Sequence, residues 1–408
     1  MLRNVVYGLL WLLVLIMPWE EMTIIGEMAT LSRTFGLLAL VVALPAVFSG
    51  TPLRPLPSAF LPFALFVIWA VISVFWSLDA AETLNRSVTN TMLLGFVWMI
   101  WEFAPSLQRQ QWLLVAFFLG SLGPLASEFL GFRANQAAIV GAEKRFTGEN
   151  VDANTMAATL VISMAIAIYF ASNPATKWYR LRLLFWAYVL VAAMGAMLTA
   201  SRGGFLCLIV LGGVTLVMSR RMNWKVLLMF LVCAALVWSM YRVILPDVVR
   251  DRLSEGKEAH TLTVRMEIWQ RGLTAWCECP FQGFGSGTFR IVNREHGGPD
   301  LVAHNAWVTV LVEEGAVGFI LFLLTWVLAF LRVRGIPRME QMLCVSLLVP
   351  YLPLSFSASV EYQKPFWLIF VIILAISAHP RRSASSRPNP DWTPAQMGRP
   401  YLPLGKTP

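Results

Sequence analysis

Apolar runs of about 15 to 20 residues recur along nearly the whole of this 408-residue chain. An α-helix of about 20 such residues crosses a hydrocarbon core about 30 Å thick with all its backbone hydrogen bonds satisfied. The residues are 57% hydrophobic and 13% charged, with a mean hydropathy of +0.65. That is about half the charge of an ordinary soluble domain. The sequence therefore predicts an all-α polytopic membrane protein.

The runs predict about twelve transmembrane helices in one domain, residues 1–378, with one large hydrophilic loop at 244–304. The first run lacks a small-x-small cleavage site, so we expect it to remain as a span. Residues 379–408 contain seven prolines and many Ser and Arg, which predicts a disordered tail. The predicted spans are approximately residues 4–19, 31–48, 59–77, 89–104, 111–130, 153–171, 183–200, 203–218, 225–243, 305–331, 341–358 and 365–378.

The distribution of basic residues predicts the orientation of the spans. With Arg3 inside, the cytoplasmic segments hold 17 of the 32 Lys and Arg but only three of the 23 acidic residues. We therefore expect both termini and the tail in the cytoplasm, and the loop at 244–304 on the periplasmic face. The net charge of +9 then reflects topology and attraction to anionic lipid. It does not indicate a nucleic-acid partner.

The large loop contains a predicted amphipathic helix at 263–277. At about 100° per residue, its large apolar side chains share one stripe. We expect this helix to lie on the bilayer with its tryptophans at headgroup level and Arg265 near lipid phosphates. The stripe consists of Met266, Trp269, Leu273 and Trp276.

The tenth predicted span, 305–331, would be about 40 Å long as one helix, which is more than the membrane core requires. It would also submerge Glu313 and Glu314. We therefore predict that residues 305–314 form a helix above or in the interface, and that the true crossing starts at Gly315. His304 immediately precedes this segment.

Several motifs follow one another in order along residues 60–335, with the long loop before the last one. They are Trp76-Ser77-Leu78-Asp79; Arg145-Phe146-Thr147-Gly148 with Asp152-x-Asn154; Thr199-Ala200-Ser201-Arg202-Gly203-Gly204; Thr263-x-Arg265-x-x-x-Trp269 with Pro280-x-x-Gly283-x-Gly285; and His304-Asn305 with Gly315 and Gly318. In these motifs and their order the chain resembles the O-antigen ligase and polymerase superfamily of bacterial inner-membrane proteins.

The resemblance implies a glycosyltransferase that takes a glycan from undecaprenyl diphosphate at the periplasmic face and joins it to an acceptor hydroxyl. Ligases of the superfamily use lipid A–core as the acceptor, and polymerases use another lipid-linked repeat. The reaction is described as inverting and as needing no metal or other cofactor. The resemblance places functional roles on Arg202, Arg265 and His304, with Arg145 as a further diphosphate-binding residue.

The chemistry of these residue types fits such a reaction. Diphosphate is a good leaving group, and guanidinium groups bind its oxygens in a fixed geometry. Charge grows on the bridging oxygen as the glycosidic bond breaks, so arginines stabilise the transition state more than the ground state. Imidazole can take the hydroxyl proton near neutral pH. We therefore predict His304 as base or acceptor positioner, and Arg202 and Arg265 as diphosphate ligands.

Each of these residues also has a structural interpretation. Arg202 could extend from a helix end towards the interface, and Arg265 could pair with a lipid headgroup. Arg145 could belong to a charged surface cluster with Lys144. His304 could be an N-terminal helix residue that bonds to the backbone.

Three other functions remain open from the sequence. An exopolysaccharide or O-antigen polymerase needs the same residues as a ligase. The motif set resembles the ligase type more closely and so favours a ligase. A transporter or flippase would place ionisable groups near mid-membrane, whereas here the charges cluster at span ends. A metal-dependent glycosyltransferase could use Glu20 and Glu21 as carboxylate ligands, although no third acidic residue lies near them.

Overall fold

The computed structural model of the protein describes residues 1–22, 24–25, 29–48, 52–130, 153–199, 201–219 and 257–379. These residues form an α-helical bundle, with one antiparallel pair of two-residue strands, β1 and β2, ahead of the second helix. The elements are α1 Leu2–Ile16, β1 Ile24–Ile25, β2 Ala29–Thr30, α2 Leu31–Val47, α3 Leu61–Ile72, α4 Ala80–Phe103, α5 Leu107–Leu130, α6 Ala153–Ser172, α7 Arg182–Leu198, α8 Arg202–Met218, α9 Lys257–Trp276, α10 Phe289–Glu295, α11 Ala306–Arg332, α12 Arg338–Ser355 and α13 Lys364–Ser377.

Every predicted span that falls on described residues overlaps one of these helices. The predicted span at 225–243 and nearly all of the predicted tail, residues 380–408, lie outside the described residues. The α-helical membrane class is confirmed, while the total of twelve spans and the domain limits remain predictions. Within the described part of the chain, five helical segments are long and apolar enough to cross a membrane: Leu2–Glu20, Ser58–Phe75, Ala153–Ser172, Lys177–Leu198 and Ala306–Arg332.

Helix α6 lies in the centre of the bundle. Its side chains are buried from Ala153 to Ala171 except that of Thr155, and it packs against α5, α7, α8 and α12. A helix that is apolar on all sides has no face to present to water, and neighbouring helices cover it. By contrast, α2 exposes Leu37, Val41 and Leu44, as expected for a helix that faces lipid.

The residues that the sequence assigns to the cytoplasm lie together at one end of the bundle. Glu102, near the end of α4, pairs with Arg3 and accepts a hydrogen bond of 2.9 Å from the backbone N–H of Arg54. Arg109 donates to the side chain of Asn4 at 2.7 Å. The N-terminus, the segment before α3 and the α4–α5 connection therefore meet at the same end. Which side of the membrane this end faces remains a prediction.

The predicted break in the tenth span is confirmed. Helix α11 is kinked at Gly315, whose φ of 64° and ψ of −168° are not helical. A Cβ at this position would lie 2.2 Å from the carbonyl oxygen of Phe281, so the close approach requires glycine. Past the kink, the Ala316 N–H donates to the Pro280 carbonyl at 2.8 Å and the Val317 N–H to that of Phe281 at 3.3 Å. The first turn of the second half is thus capped by the loop.

The amphipathic helix predicted for the large loop is present as α9, and its placement on the bilayer remains a prediction. It packs against α10 and the first half of α11. The indole N–H of Trp269 donates to the Ala303 carbonyl at 2.8 Å, and that of Trp276 to the Pro280 carbonyl at 2.9 Å. The small residues Gly272 and Ala275 permit this close packing. The periodicity of large apolar side chains does not detect such small residues.

Candidate functional site

A cavity of about 540 Å³ opens at the end of the bundle opposite the Arg3–Glu102 pair. Its lining residues come from the last turn of α1, the start of α2, α4, the start of α6, the segment before α11 and the α12–α13 connection. In the predicted topology all these helix ends belong to the outer face.

The cavity has a polar end and an apolar side. Along α4 its lining runs from Glu82 to Met99, which is about 25 Å at about 1.5 Å per residue. The apolar lining residues include Leu13, Met17, Leu37, Leu40, Leu93, Phe96 and Met99. Such a groove fits a ligand with a polar head and a long hydrocarbon chain.

Basic groups outnumber acidic groups at the polar end. Arg33, Arg86, His304 and Lys364 line the cavity there, together with Glu20 and Glu82. Lys364 pairs with Glu20 and donates to the Ser32 hydroxyl at 2.9 Å. The Glu20 carboxylate therefore forms an ion pair with Lys364. This contact differs from the metal-ligand role that the sequence left open for Glu20. Beside this ion pair the lining carries two arginines, Arg33 and Arg86, and one carboxylate, Glu82, and this balance favours an anion.

His304 lies in the wall of the cavity with a backbone φ of +48°. Among the described residues it is the one non-glycine residue with a positive φ. The left-handed region costs an L-residue about 1 to 2 kcal/mol, and such strain concentrates at functional sites. The next residue, Asn305, caps α11 by accepting from the N–H groups of Trp307 and Val308. The cap fixes the chain direction at the point where the imidazole is presented.

The strained backbone leads to a stability prediction. We expect the His304→Gly variant to be more stable than His304→Ala by about 1 kcal/mol, because glycine adopts the left-handed region without steric cost. At an ordinary helical position the order is reversed, and Ala81→Gly on the exposed start of α4 is the matched control. Thermal unfolding of the purified variants in detergent measures both. Equal stability of the two His304 variants would contradict the strain.

Arg86 is a further basic group of the site, which the sequence did not single out. Its guanidinium carbon lies 3.8 Å from the centre of the Tyr362 ring, and it interacts electrostatically with Glu313 and Glu361. Glu313 in turn accepts from the backbone N–H of Gly287 at 2.7 Å and of Phe289 at 3.0 Å. Buried carboxylates need such partners. Glu313 thus links α11, the start of α10 and Arg86.

Two of the sequence motifs contact each other and position α4, which carries Arg86. Asp79 caps α4, and the Leu78 N–H donates to the Phe284 carbonyl at 2.9 Å. The Thr83 hydroxyl donates to the Ser286 carbonyl at 2.9 Å. At Gly285, whose φ is +102°, a Cβ would lie 2.5 Å from the Ser77 hydroxyl. The Trp-Ser-Leu-Asp and Gly-x-Gly motifs therefore have a structural role.

The backbone of Arg202 begins α8 at the same end of the bundle as the cavity. Ser201 caps this helix and donates to the Asn154 side chain at 2.7 Å. A Cβ on Gly203 would lie 2.4 Å from the Ser357 hydroxyl. Asn154 and Ser357 directly precede Thr155 and Ala358, which line the cavity. The two neighbours of Arg202 in the chain, Ser201 and Gly203, thus lie against the residues that directly precede these two lining segments.

Arg265 lies on α9 and is partly buried. It is one helical turn from Trp269, whose indole bonds to the carbonyl of Ala303, the residue before His304. Residues four apart share a helix face, so Arg265 stands on the face that meets the His304 segment. It is not among the residues that line the cavity. Arg145, the predicted further diphosphate ligand, lies outside the described residues.

Glu361, in the α12–α13 connection, is buried, and neither carboxylate oxygen has a hydrogen-bond partner among the described residues. Burial raises the pKa of Glu361 from 4.5 to about 8. Below pH 4.5 both the folded and the unfolded chain carry its proton. Between pH 4.5 and about 8 the folded chain keeps the proton and the unfolded chain loses it. The free energy of unfolding therefore falls as pH rises through this window.

We expect the Glu361→Gln variant, which cannot ionise, to lose this part of the pH dependence. Its melting temperature should exceed that of wild type at pH 8 and match it near pH 4.5. Thermal unfolding in detergent at both pH values measures the difference, and Glu295→Gln at an exposed position is the control. A wild-type advantage at pH 8 would show that the Glu361 carboxylate is ionised and paired.

Residues 187–323 match the family model described as O-antigen ligase. The matched segment includes Arg202, Arg265 and His304, the kink at Gly315 and the loop that caps it. No curated protein matches the chain in sequence. The match covers about a third of the chain, and over this segment the resemblance read from the motifs is confirmed.

Proposed function

We propose that the protein transfers a glycan from undecaprenyl diphosphate to an acceptor hydroxyl at the periplasmic face of the bacterial inner membrane. The observation that carries the proposal is the amphipathic cavity, with basic groups at one end and apolar side chains along about 25 Å of α4. A polyprenyl diphosphate has the same division into an anionic head and a hydrocarbon chain. The O-antigen ligase match supports the same substrate class.

In the proposed reaction, the acceptor oxygen forms a bond to C1 of the donor sugar while the C1–phosphate oxygen bond breaks. The hydroxyl proton passes to the His304 imidazole, and the electron pair of the broken bond leaves with undecaprenyl diphosphate. Attack opposite the leaving group inverts C1. Arg86, Arg202 and Arg265 are the groups we propose to stabilise charge on the diphosphate. Such a reaction requires no metal, so we expect transfer to continue in EDTA.

Ligation of O-polysaccharide to lipid A–core is the form of the reaction that we favour, in agreement with the family description. Deletion of the gene followed by gel analysis of surface glycan tests it. A ligase deletion should leave lipid A–core without O-chain while lipid-linked polymer accumulates. Single-repeat products would instead identify a polymerase. Failure of lipid-linked glycan to reach the outer leaflet would identify a transporter.

A further inference from the structure

A second, smaller chamber of about 250 Å³ adjoins the large cavity. Glu82, Arg86, Val302, Ser359 and Tyr362 line both spaces. The stacked pair of Arg86 and Tyr362 therefore stands in the wall between them. Val302 precedes His304 by two residues, so the shared wall reaches the proposed base.

Thr309 gives the chamber an unused hydrogen-bonding group. It lies in the first half of α11, one turn from Glu313, and both residues line the chamber. Its side chain is 94% buried, since its relative exposure is 6%, and its hydroxyl has no hydrogen-bond partner among the described residues. A buried hydroxyl without a partner destabilises the folded state. A ligand that bonds to this hydroxyl in the chamber recovers that free energy.

The charges of the two spaces differ in a way that separates their ligands. The chamber is lined by the carboxylates of Glu82 and Glu313 and by the guanidinium groups of Arg86 and Arg290. Arg290 is already paired with Asp300 at 3.0 Å. Carboxylates, hydroxyls and an aromatic side chain suit a neutral sugar. The sugar hydroxyls donate to the carboxylates, and its C–H face packs on the Tyr362 ring. An anionic diphosphate is better accommodated among the excess basic groups of the large cavity.

We propose that the smaller chamber binds the sugar ring of the acceptor glycan, with the Thr309 hydroxyl as a specificity-determining contact. This inference rests on the proposed function and assigns a separate place to the second substrate. A hydroxyl of the bound ring would reach His304 past Val302, on the side of the shared wall opposite the diphosphate.

The test uses two ligands of the purified full-length protein in detergent: undecaprenyl diphosphate without glycan, and core oligosaccharide released from lipid A by mild acid. We expect Thr309→Val, which removes the hydroxyl and keeps the shape, to weaken oligosaccharide binding by about tenfold. Thr309→Leu, which also fills space, should weaken it further. Both variants should bind undecaprenyl diphosphate as wild type does.

Thr325→Val is the matched control on the same helix, because the Thr325 hydroxyl already bonds to the Leu321 carbonyl at 2.9 Å. This variant should leave both affinities unchanged. Thr309→Val removes an unpaired hydroxyl, so its thermal stability should equal or exceed that of wild type. A binding loss together with a stable fold then supports the assignment.

The outcomes separate the two proposals. If wild type binds undecaprenyl diphosphate but the Thr309 variants bind oligosaccharide as well as wild type does, the chamber assignment is wrong and the proposed function stands. If the variants weaken transfer through the KM of the lipid-linked donor instead of the acceptor, the chamber holds the donor sugar and the acceptor assignment is again wrong. If wild type does not bind undecaprenyl diphosphate, the proposed function itself fails.

Discussion

Replacing His304 by alanine should lower glycan transfer by at least about 100-fold while the protein remains in the membrane at the wild-type level. The expected size follows from the contribution of a positioned general base, about 10² to 10⁴ in rate. His304 lines the cavity and its strained backbone is fixed by the Asn305 cap, so the variant loses the imidazole at a defined point. Gel analysis of surface glycan and immunoblotting of membranes measure activity and protein level.

His296→Ala is the matched control for this experiment. The His296 ring bonds to the Val292 carbonyl at 2.8 Å and to Glu278 at 3.1 Å, and it does not line the cavity. We expect its loss to leave transfer near the wild-type rate. Transfer by His304→Ala at more than about one tenth of the wild-type rate would be too high for a lost general base. That result would remove His304 from the proton-transfer role.

Replacing Arg86 by alanine should reduce both stability and transfer. The guanidinium interacts electrostatically with Glu313, which is 7% exposed, so its removal takes away a positive charge that favours the buried carboxylate. We therefore expect a lower free energy of unfolding for Arg86→Ala than for wild type. Arg86 also lines the polar end of the cavity, where we propose that it contacts the diphosphate. Thermal unfolding and transfer assays in the same detergent separate these two effects.

The double variant Arg86→Gln with Glu313→Gln provides the control. Removal of both charges should restore much of the stability lost in Arg86→Gln alone, because no unpaired charge remains buried. Transfer should stay low, since a neutral amide does not replace a guanidinium at the diphosphate. Recovery of full transfer by the double variant would show that Arg86 acts only through Glu313 and does not contact substrate.

The helices could be predicted from the sequence because membrane spans depend on local composition. The kink at Gly315 was also predictable, since Glu313 and Glu314 could not lie inside a single long span. The packing of α9 could not be predicted, because it depends on contacts of Gly272 and Ala275 with Phe289 and Val312. Hydrophobic periodicity identifies a stripe but not the surface that covers it.

The candidate site was predicted in part. The sequence and the family resemblance selected His304, which lines the cavity, and Arg202, whose backbone lies beside two lining segments. Arg86 and Lys364 were missed because each stands at the end of an apolar helix, where a basic residue resembles an interfacial anchor. Their partners, Tyr362 and Glu20, lie more than 270 residues away in the chain. Local spacing does not reveal such long-range contacts.

We propose that the cavity holds the diphosphate of a polyprenyl lipid beside His304. A cryo-electron microscopy map of the protein with bound undecaprenyl diphosphate tests it most directly. We expect diphosphate density at the polar end, in contact with Arg86 and next to the His304 imidazole, and prenyl density along Phe96 and Met99. Diphosphate density elsewhere on the protein, with this cavity holding detergent or water, would show that the cavity is not the donor site.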